Sequence, residues 1–267
     1  MTMQPLAEMP RAAAAATHTV FADIDDTVTT DGRLTAQAYA AFELLQEAGI
    51  RVILTTGRPA GWCDHIARMW PVDGVIGENG AFYYWYDASA RKLRARHQLD
   101  ADARRAQAGR LDAIAQRILR EVPGCALASD QFCRLYDLAI DFREDVAPLP
   151  EAAIDRIVAL MEEEGMTAKV SSIHVNGWFG DYDKLTMAGA MMRERYAMDL
   201  DAERAHCVFV GDSPNDAPMF GYLPNAVGVA NVAQYRGRIA HLPAWVTEAP
   251  CGAGFAEVAG KLVAARA

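Results

Sequence analysis

The sequence predicts an α/β protein with a parallel-sheet core interrupted by an inserted α+β module. Two observations predict it. Apolar, β-prone stretches alternate with helix-patterned stretches over residues 19–77 and again after residue 183. Between them, period-two hairpin patterns separated by helices take over. With 52% of the 267 residues hydrophobic, the chain has enough apolar side chain to bury both parts.

The first strand is expected over residues 19–24, followed by a polar turn at 25–32. A helix over 35–48 is ended by Gly49, and residues 50–55 form a buried-type strand that stops at Gly57-Arg58-Pro59. Proline there suits the first turn of the next helix. Residues 72–77 give a third strand. After Asn79-Gly80 a hairpin is expected, with arms 82–86 and 91–98, then a helix over 102–122 ending at Pro123-Gly124. A second strand pair (125–128, 134–142), a helix (150–164, closed by Gly165) and a third pair (167–171, 173–179) complete the module. The α/β rhythm then resumes with a helix at 184–196, a strand at 206–210, a short helix at 214–221, a strand at 226–229 and a last helix at 255–265. Residues 1–17 read as a flexible tail, 18–83 and 184–267 as a Rossmann-like core, and 84–183 as the insertion. No internal repeat is present, and the alanine run before Thr17 is the only low-complexity stretch.

The chain carries 26 Lys and Arg against 35 Asp and Glu, a formal charge of −9. That balance argues against a nucleic-acid partner, which clustered basic residues would have to neutralise. The longest apolar runs fall far short of the roughly 20 residues that span a bilayer, so no membrane partner is expected. The five cysteines are scattered without a CxxC pair, as free thiols in a reducing cytoplasm would be. Nothing in the sequence speaks to oligomeric state.

The chemistry concentrates at strand ends. The first strand runs into Asp23-Ile24-Asp25-Asp26-Thr27, and residues two apart on an extended chain point the same way. Asp23 and Asp25 should therefore project together at the carboxyl end of the sheet, where open α/β sheets bind ligands. A second acidic tip follows the strand at 206–210, in Gly211-Asp212-Ser213-Pro214-Asn215-Asp216. Oxygen donors without His or Cys favour a hard cation, Mg2+ above all. Thr55-Thr56-Gly57-Arg58 and Lys184 add hydroxyls, backbone amides and positive charge, which suit a phosphate.

These four segments resemble, in order, the signature motifs of the haloacid dehalogenase superfamily of phosphohydrolases, with Asp183-Lys184 as the third. The insertion is similar to the cap of the Cof-like, type IIB branch, which includes sucrose-phosphate and mannosyl-3-phosphoglycerate phosphatases. The resemblance covers nearly all of the chain from His18 onward. It implies Asp23 as the nucleophile that forms an aspartyl-phosphate and Asp25 as the general acid and base. It implies Mg2+ held by Asp23, the Asp25 carbonyl, Asp212, Asn215 and Asp216. Thr56, Gly57, Lys184 and Asn215 would bind the phosphoryl oxygens, with Thr55 a fallback for Thr56. Two positions depart from the pattern: Asp26 and Leu185 each stand where glycine is common.

The expected function is a cytoplasmic, Mg2+-dependent phosphatase acting on a phosphorylated sugar or sugar-like metabolite. A phosphomutase and a non-catalytic phospho-ligand sensor are the alternatives. Specificity should come from the cap, where Ser172, His174, Asn176 and Trp178 alternate and can share one polar face. An ordinary half-buried sheet explains that alternation equally well. Arg58 and Asn79 of Glu78-Asn79-Gly80 are further substrate candidates, whereas Phe82 to Tyr86 read as hairpin and core packing.

Overall fold

The computed structural model describes residues 3–267. A nine-stranded sheet forms the core, in the spatial order Gln4–Pro5, Trp245–Val246, Val227–Gly228, Cys207–Gly211, Thr19–Ala22, Arg51–Thr55, Gly74–Gly77, Phe82–Asp87, Lys92–His97. The first seven run parallel and the last two form an antiparallel hairpin at the edge.

Strand alternation sorts the core into two layers. Val20, Ala22, Val52, Leu54, Val208 and Val210 face the helices Ala36–Glu47, Ala60–Met69 and Cys251–Ala264, through Phe42, Leu45, Ile66, Phe255 and Leu262. Phe21, Ile53, Ile76 and Phe209 point the other way, onto Met187, Met191 and Met192 of Lys184–Tyr196 and Met219 of Ala217–Tyr222. Each central strand is therefore buried on both faces, which is why these segments read as continuous apolar runs.

The inserted module has its own four-stranded antiparallel sheet, ordered Thr167–Val170, His174–Trp178, Leu138–Asp141, Ala126–Leu127. Leu138, Ile140 and Val175 pack on one side against Ile114, Ile118, Ile157 and Leu160 of the helices Ala101–Glu121 and Glu151–Glu163. Because neighbours on a strand alternate, His174 and Asn176 project from the opposite side.

Two expected boundaries move. The hairpin Phe82–Asp87/Lys92–His97 belongs to the core sheet and not to the insertion, with Val75 paired to Tyr84. Its aromatic residues enter both core layers, Phe82 and Tyr84 on one side and Tyr83 on the other. Residues 1–17 are no free tail across their described part. Gln4–Pro5 extends the sheet beside Trp245–Val246, Leu6, Met9 and Ala14 are buried, and the helix Arg11–Ala16 packs on Cys251–Ala264. Alanine is the strongest helix former and its small side chain allows close approach, so a run that reads as low complexity serves as a packing helix. The second expected strand of the middle pair is shorter than residues 134–142, because Arg134 to Asp137 turn toward the core.

Candidate active site

Asp23 follows the central strand Thr19–Ala22, its backbone N–H donating to the Val210 carbonyl of the neighbouring strand at 2.9 Å. The sheet thereby brings the two acidic tips side by side. Carboxylate oxygens of Asp23, Asp212 and Asp216 lie within 4.8 Å of one another and all three residues are buried. Lys184, the first residue of its helix, reaches between them: its Nζ donates to Asp23 Oδ1 and Asp216 Oδ1, both at 2.7 Å. The helix start is fixed by a capping box between Asp183 and Thr186.

Each acid is held differently. Asp216 is fully engaged, because its second oxygen accepts from the backbone N–H groups of Asp212 and Ser213 at 3.0 and 3.2 Å. Gly211 is required beside it: a Cβ there would collide with the Asp216 carboxylate. Asp212 accepts only from neutral donors, Thr27 Oγ1 and Asn231 Nδ2, each at 3.1 Å. Thr27 lies in the first motif but carried no assigned role, and nothing in the sequence pointed to Asn231.

The electrostatics are those of an underneutralised acid cluster. Burial, opposed by Lys184 and reinforced by Asp216 and Asp25, pushes the Asp23 carboxyl up to about 8. Burial and the two neighbouring acids hold Asp212 well above the ordinary carboxylate range. Burial works against the charge on Lys184, yet Asp216 and Asp23 raise it above its ordinary value. One ammonium faces three carboxylates, so a divalent cation would relieve the repulsion. The donor set, oxygen only and mutually close, fits Mg2+. Asp23 and Asp212 can become ligands with least rearrangement, since Asp216 already spends both oxygens.

Arg58 joins the core to the insertion. Its Nε donates to both Asp25 oxygens at 2.9 and 3.0 Å, and its Nη2 to Asp25 Oδ1 at 2.8 Å and Glu144 Oε1 at 2.6 Å. Its Nη1 reaches Asp130 at 3.4 Å, and the guanidinium lies 4.4 Å from the Trp62 ring centroid. His174 Nε2 stands 2.9 Å from the other Glu144 oxygen. Burial would raise the Glu144 carboxyl, but His174 and Arg58 override it and draw it down to about 2. Arg134 braces this contact, donating to the Gly57 carbonyl at 2.8 Å and to Asp130 Oδ1 at 2.9 Å; like Glu144 and Asp130, it sits in an irregular, polar segment with no motif.

Of the substrate candidates, Arg58, His174 and Asn176 line one cavity with Asp23, Asp25, Gly57, Ser171, Ile173 and Asn215. Asn79 stands behind it, accepting from Asn215 Nδ2 at 3.3 Å. A Cβ on Gly57 would come within 3.2 Å of Asn79 and 3.4 Å of Asn176. The Ser172 hydroxyl is buried without a partner. Trp178 keeps the side of the strand opposite Val175 but does not line the cavity: it is fully buried among Phe82, Tyr84, Tyr136 and Tyr182, and its ring stacks on Tyr182 at 5.6 Å. A large indole at the end of the strand finds more apolar area there than in the crevice. Thr56 Oγ1 accepts from the Arg58 N–H at 2.9 Å, whereas the Thr55 hydroxyl is buried and unpartnered. The cavity itself measures about 10 Å3, near the minimum for a single water.

Glu78 closes the hinge side. Its carboxylate accepts backbone N–H groups from Ala60 (3.0 Å), Leu135 (2.9 Å), Tyr136 (2.6 Å) and Asp137 (3.2 Å). Next to it, Gly80 adopts φ +111° and a Cβ there would strike the Asp183 carbonyl, so glycine is needed where the chain passes the base of the Lys184 helix. Glu78→Ala will leave four N–H groups, three of them buried, without their acceptor and lower stability by roughly 3 kcal/mol. Urea denaturation checks this, and a loss below about 1 kcal/mol would show that water replaces the carboxylate.

Residues 20–107 match the family of haloacid dehalogenase-like hydrolases. Over 244 residues the chain is 28% identical to a phosphoglycolate phosphatase of Pyrobaculum neutrophilum, spanning 88% of this chain and 91% of that one. A phosphoglycolate phosphatase of Methanoculleus marisnigri is 25% identical over 251 residues, 91% and 95% of the two chains. The C-terminal domain of C. albicans trehalose-6-phosphate phosphatase has a TM-score of 0.72 at 12% identity, over 99% of this chain and 98% of its own. Synechocystis sucrose-phosphatase, solved with sucrose and phosphate, has a TM-score of 0.59 at 16% identity, over 91% and 97%. These structural likenesses are likenesses of fold. Among the described residues, no helix is long and apolar enough to cross a membrane.

Proposed function

We propose that this chain, which matches haloacid dehalogenase-like hydrolases over residues 20–107, is a phosphatase that hydrolyses a small phosphomonoester through an aspartyl-phosphate on Asp23, with Mg2+ as cofactor. The observation that carries this reading is the meeting of Asp23, Asp212 and Asp216 around Lys184 at the carboxyl end of the sheet. Bound Mg2+ would offset the repulsion between the nucleophile and the phosphate dianion.

An Asp23 oxygen attacks phosphorus, and the bond from phosphorus to the leaving oxygen breaks. Asp25 gives that oxygen its proton. Water, losing a proton to Asp25, then attacks the aspartyl-phosphate and returns Asp23 and inorganic phosphate. The donating half of the cycle requires Asp25 to free one oxygen from the Arg58 fork, because a protonated oxygen donates and no longer accepts. Lys184 stays beside Asp23 and steadies the charge on the transferring group. The free cysteines accord with the cytoplasmic setting that belongs to this reading.

A sugar phosphate remains the expected substrate class. A second reading, in which the alcohol portion bears a carboxylate, is favoured by a specific contact: Arg58 already holds a carboxylate, that of Glu144, beside the acids, with His174 Nε2 2.9 Å from its other oxygen. The phosphoglycolate phosphatases among the relatives point the same way. Phosphate release from hexose phosphates, disaccharide phosphates and phosphoglycolate, with Mg2+ and with EDTA, tests both. No release from any of them with Mg2+ would sink the phosphatase proposal, and isomerised sugar phosphate in place of free phosphate would mark a mutase. If the second reading holds, His174→Ala will raise KM for phosphoglycolate at least about tenfold and leave kcat within a factor of about three. An equal rise for a neutral sugar phosphate would assign His174 to general positioning.

A further inference from the structure

At the opposite end of the same sheet, the geometry points to a second metal site, made by His18, Glu203 and His206 and matched to Zn2+. Their ligand atoms lie within 4.8 Å of one another. His18 Nε2 stands 3.0 Å and His206 Nδ1 3.1 Å from one and the same oxygen, Glu203 Oε2, and the two imidazole centroids are 5.8 Å apart. Zinc bonds of about 2.0–2.2 Å in a tetrahedron place ligand atoms roughly 3.3 Å from each other. The two spacings from histidine to Glu203 therefore need to open by only a few tenths of an ångström, and the two histidine nitrogens already lie within 4.8 Å of each other.

The scaffold holds the three side chains in register. The His18 backbone N–H donates to the His206 carbonyl at 2.9 Å, and its carbonyl accepts from Arg51 at 3.0 Å, so the two histidines enter adjacent parallel strands side by side. Glu203 is the last residue of the short helix Leu200–Glu203, and its N–H donates to the Asp199 carbonyl at 3.0 Å. His18 Nδ1 lies 2.9 Å from Thr19 Oγ1, a contact that orients the ring and leaves Nε2 toward the site.

Access and charge fit as well. The side chains are 25%, 32% and 47% exposed for His18, Glu203 and His206, so an ion can enter and keep water in a fourth position. Two neutral imidazoles and one carboxylate against a divalent ion leave one net positive charge. Nitrogen donors select Zn2+ over Mg2+, the reverse of the all-oxygen cluster around Asp23. At ~3.3 Å per residue the two sites are about 16 Å apart along one strand, so an ion here acts on the fold: it ties the start of the central strand to the neighbouring strand and helix.

The test is Zn2+ titration by calorimetry of the untagged, EDTA-stripped chain in excess Mg2+, with thermal denaturation and the visible ligand-field spectrum of Co2+ read alongside. One equivalent of Zn2+ should bind and raise Tm, and Co2+ should give a tetrahedral-type band. His18→Ala, Glu203→Ala and His206→Ala should each weaken Zn2+ at least about tenfold, while Asp212→Asn leaves it unchanged. His206 is about half exposed and, among the described residues, its ring donates no hydrogen bond to the core, so its variant keeps the fold. No saturable Zn2+ binding, or binding that survives His206→Ala and disappears in Asp212→Asn, would overturn the assignment.

Discussion

Asp23→Asn will lower phosphate release by about 10⁴-fold or more and leave the protein folded. The amide keeps the size and can accept from Lys184 at the position of Oδ1, but it has no anionic oxygen to attack phosphorus, so the covalent route is lost and not merely slowed. The variant also removes one of three buried, crowded carboxylates from a site with a single ammonium, which spares the burial cost of Asp23 and eases the repulsion that, after burial, raises Asp212. In EDTA, its Tm should therefore equal or exceed that of the wild type. Single-turnover phosphate release and circular dichroism give both halves of the result. Turnover within tenfold of wild type would place the nucleophile elsewhere.

Lys184→Met will be the most destabilising single change at the site. Lys184 is buried with both its partners, and removing one member of such a group strands the charges left behind, at a cost of about 3–5 kcal/mol. The sign with pH follows from the raised Asp23 carboxyl. A folded-state value near 8, above the ordinary 3.8, means that folding takes up a proton, and stability falls as pH rises between those two values. Without Lys184 the value climbs further, so wild type and variant lose stability in parallel up to the wild-type value, and the deficit of the variant should be smaller at pH 7 and larger at pH 9, where only the variant still takes up the proton. Mg2+ should recover part of it by supplying the missing positive charge. Urea unfolding at both pH values, with EDTA and with Mg2+, checks the prediction. A deficit below about 1 kcal/mol at pH 9 in EDTA would contradict it.

The acids were legible because the chemistry demands them at fixed places. Asp23 and Asp212 each end an apolar strand, and a strand buried on both faces can be recognised by composition alone. Lys184 was legible only through its motif, since a lysine at a helix start is otherwise an ordinary solvated residue. Glu144, Asp130 and Arg134 were not legible. Their positions follow from how the insertion lies across the core, which no local period encodes. Phe82 to Tyr86 showed the hairpin but not its partner, because alternation reveals which faces a strand has and not which sheet it joins. The alanine helix near the N-terminus was missed for a related reason: its burial depends on Cys251–Ala264, far along the chain. Trp178 shared the alternation of His174 and Asn176, yet its ring went to the aromatic cluster beside the hinge.

The closed crevice over Asp23 sets a kinetic condition. A space of about 10 Å3 admits no phosphate ester, so capture draws on the fraction of molecules in which the contacts from Arg58 to Glu144 and Asp130 have parted. The apparent dissociation constant is then the intrinsic one divided by that fraction. Measured affinity thus reports how often the two halves separate as much as how well they grip. Two substrates with identical contacts in the shut state will differ in KM if one needs a wider parting to enter.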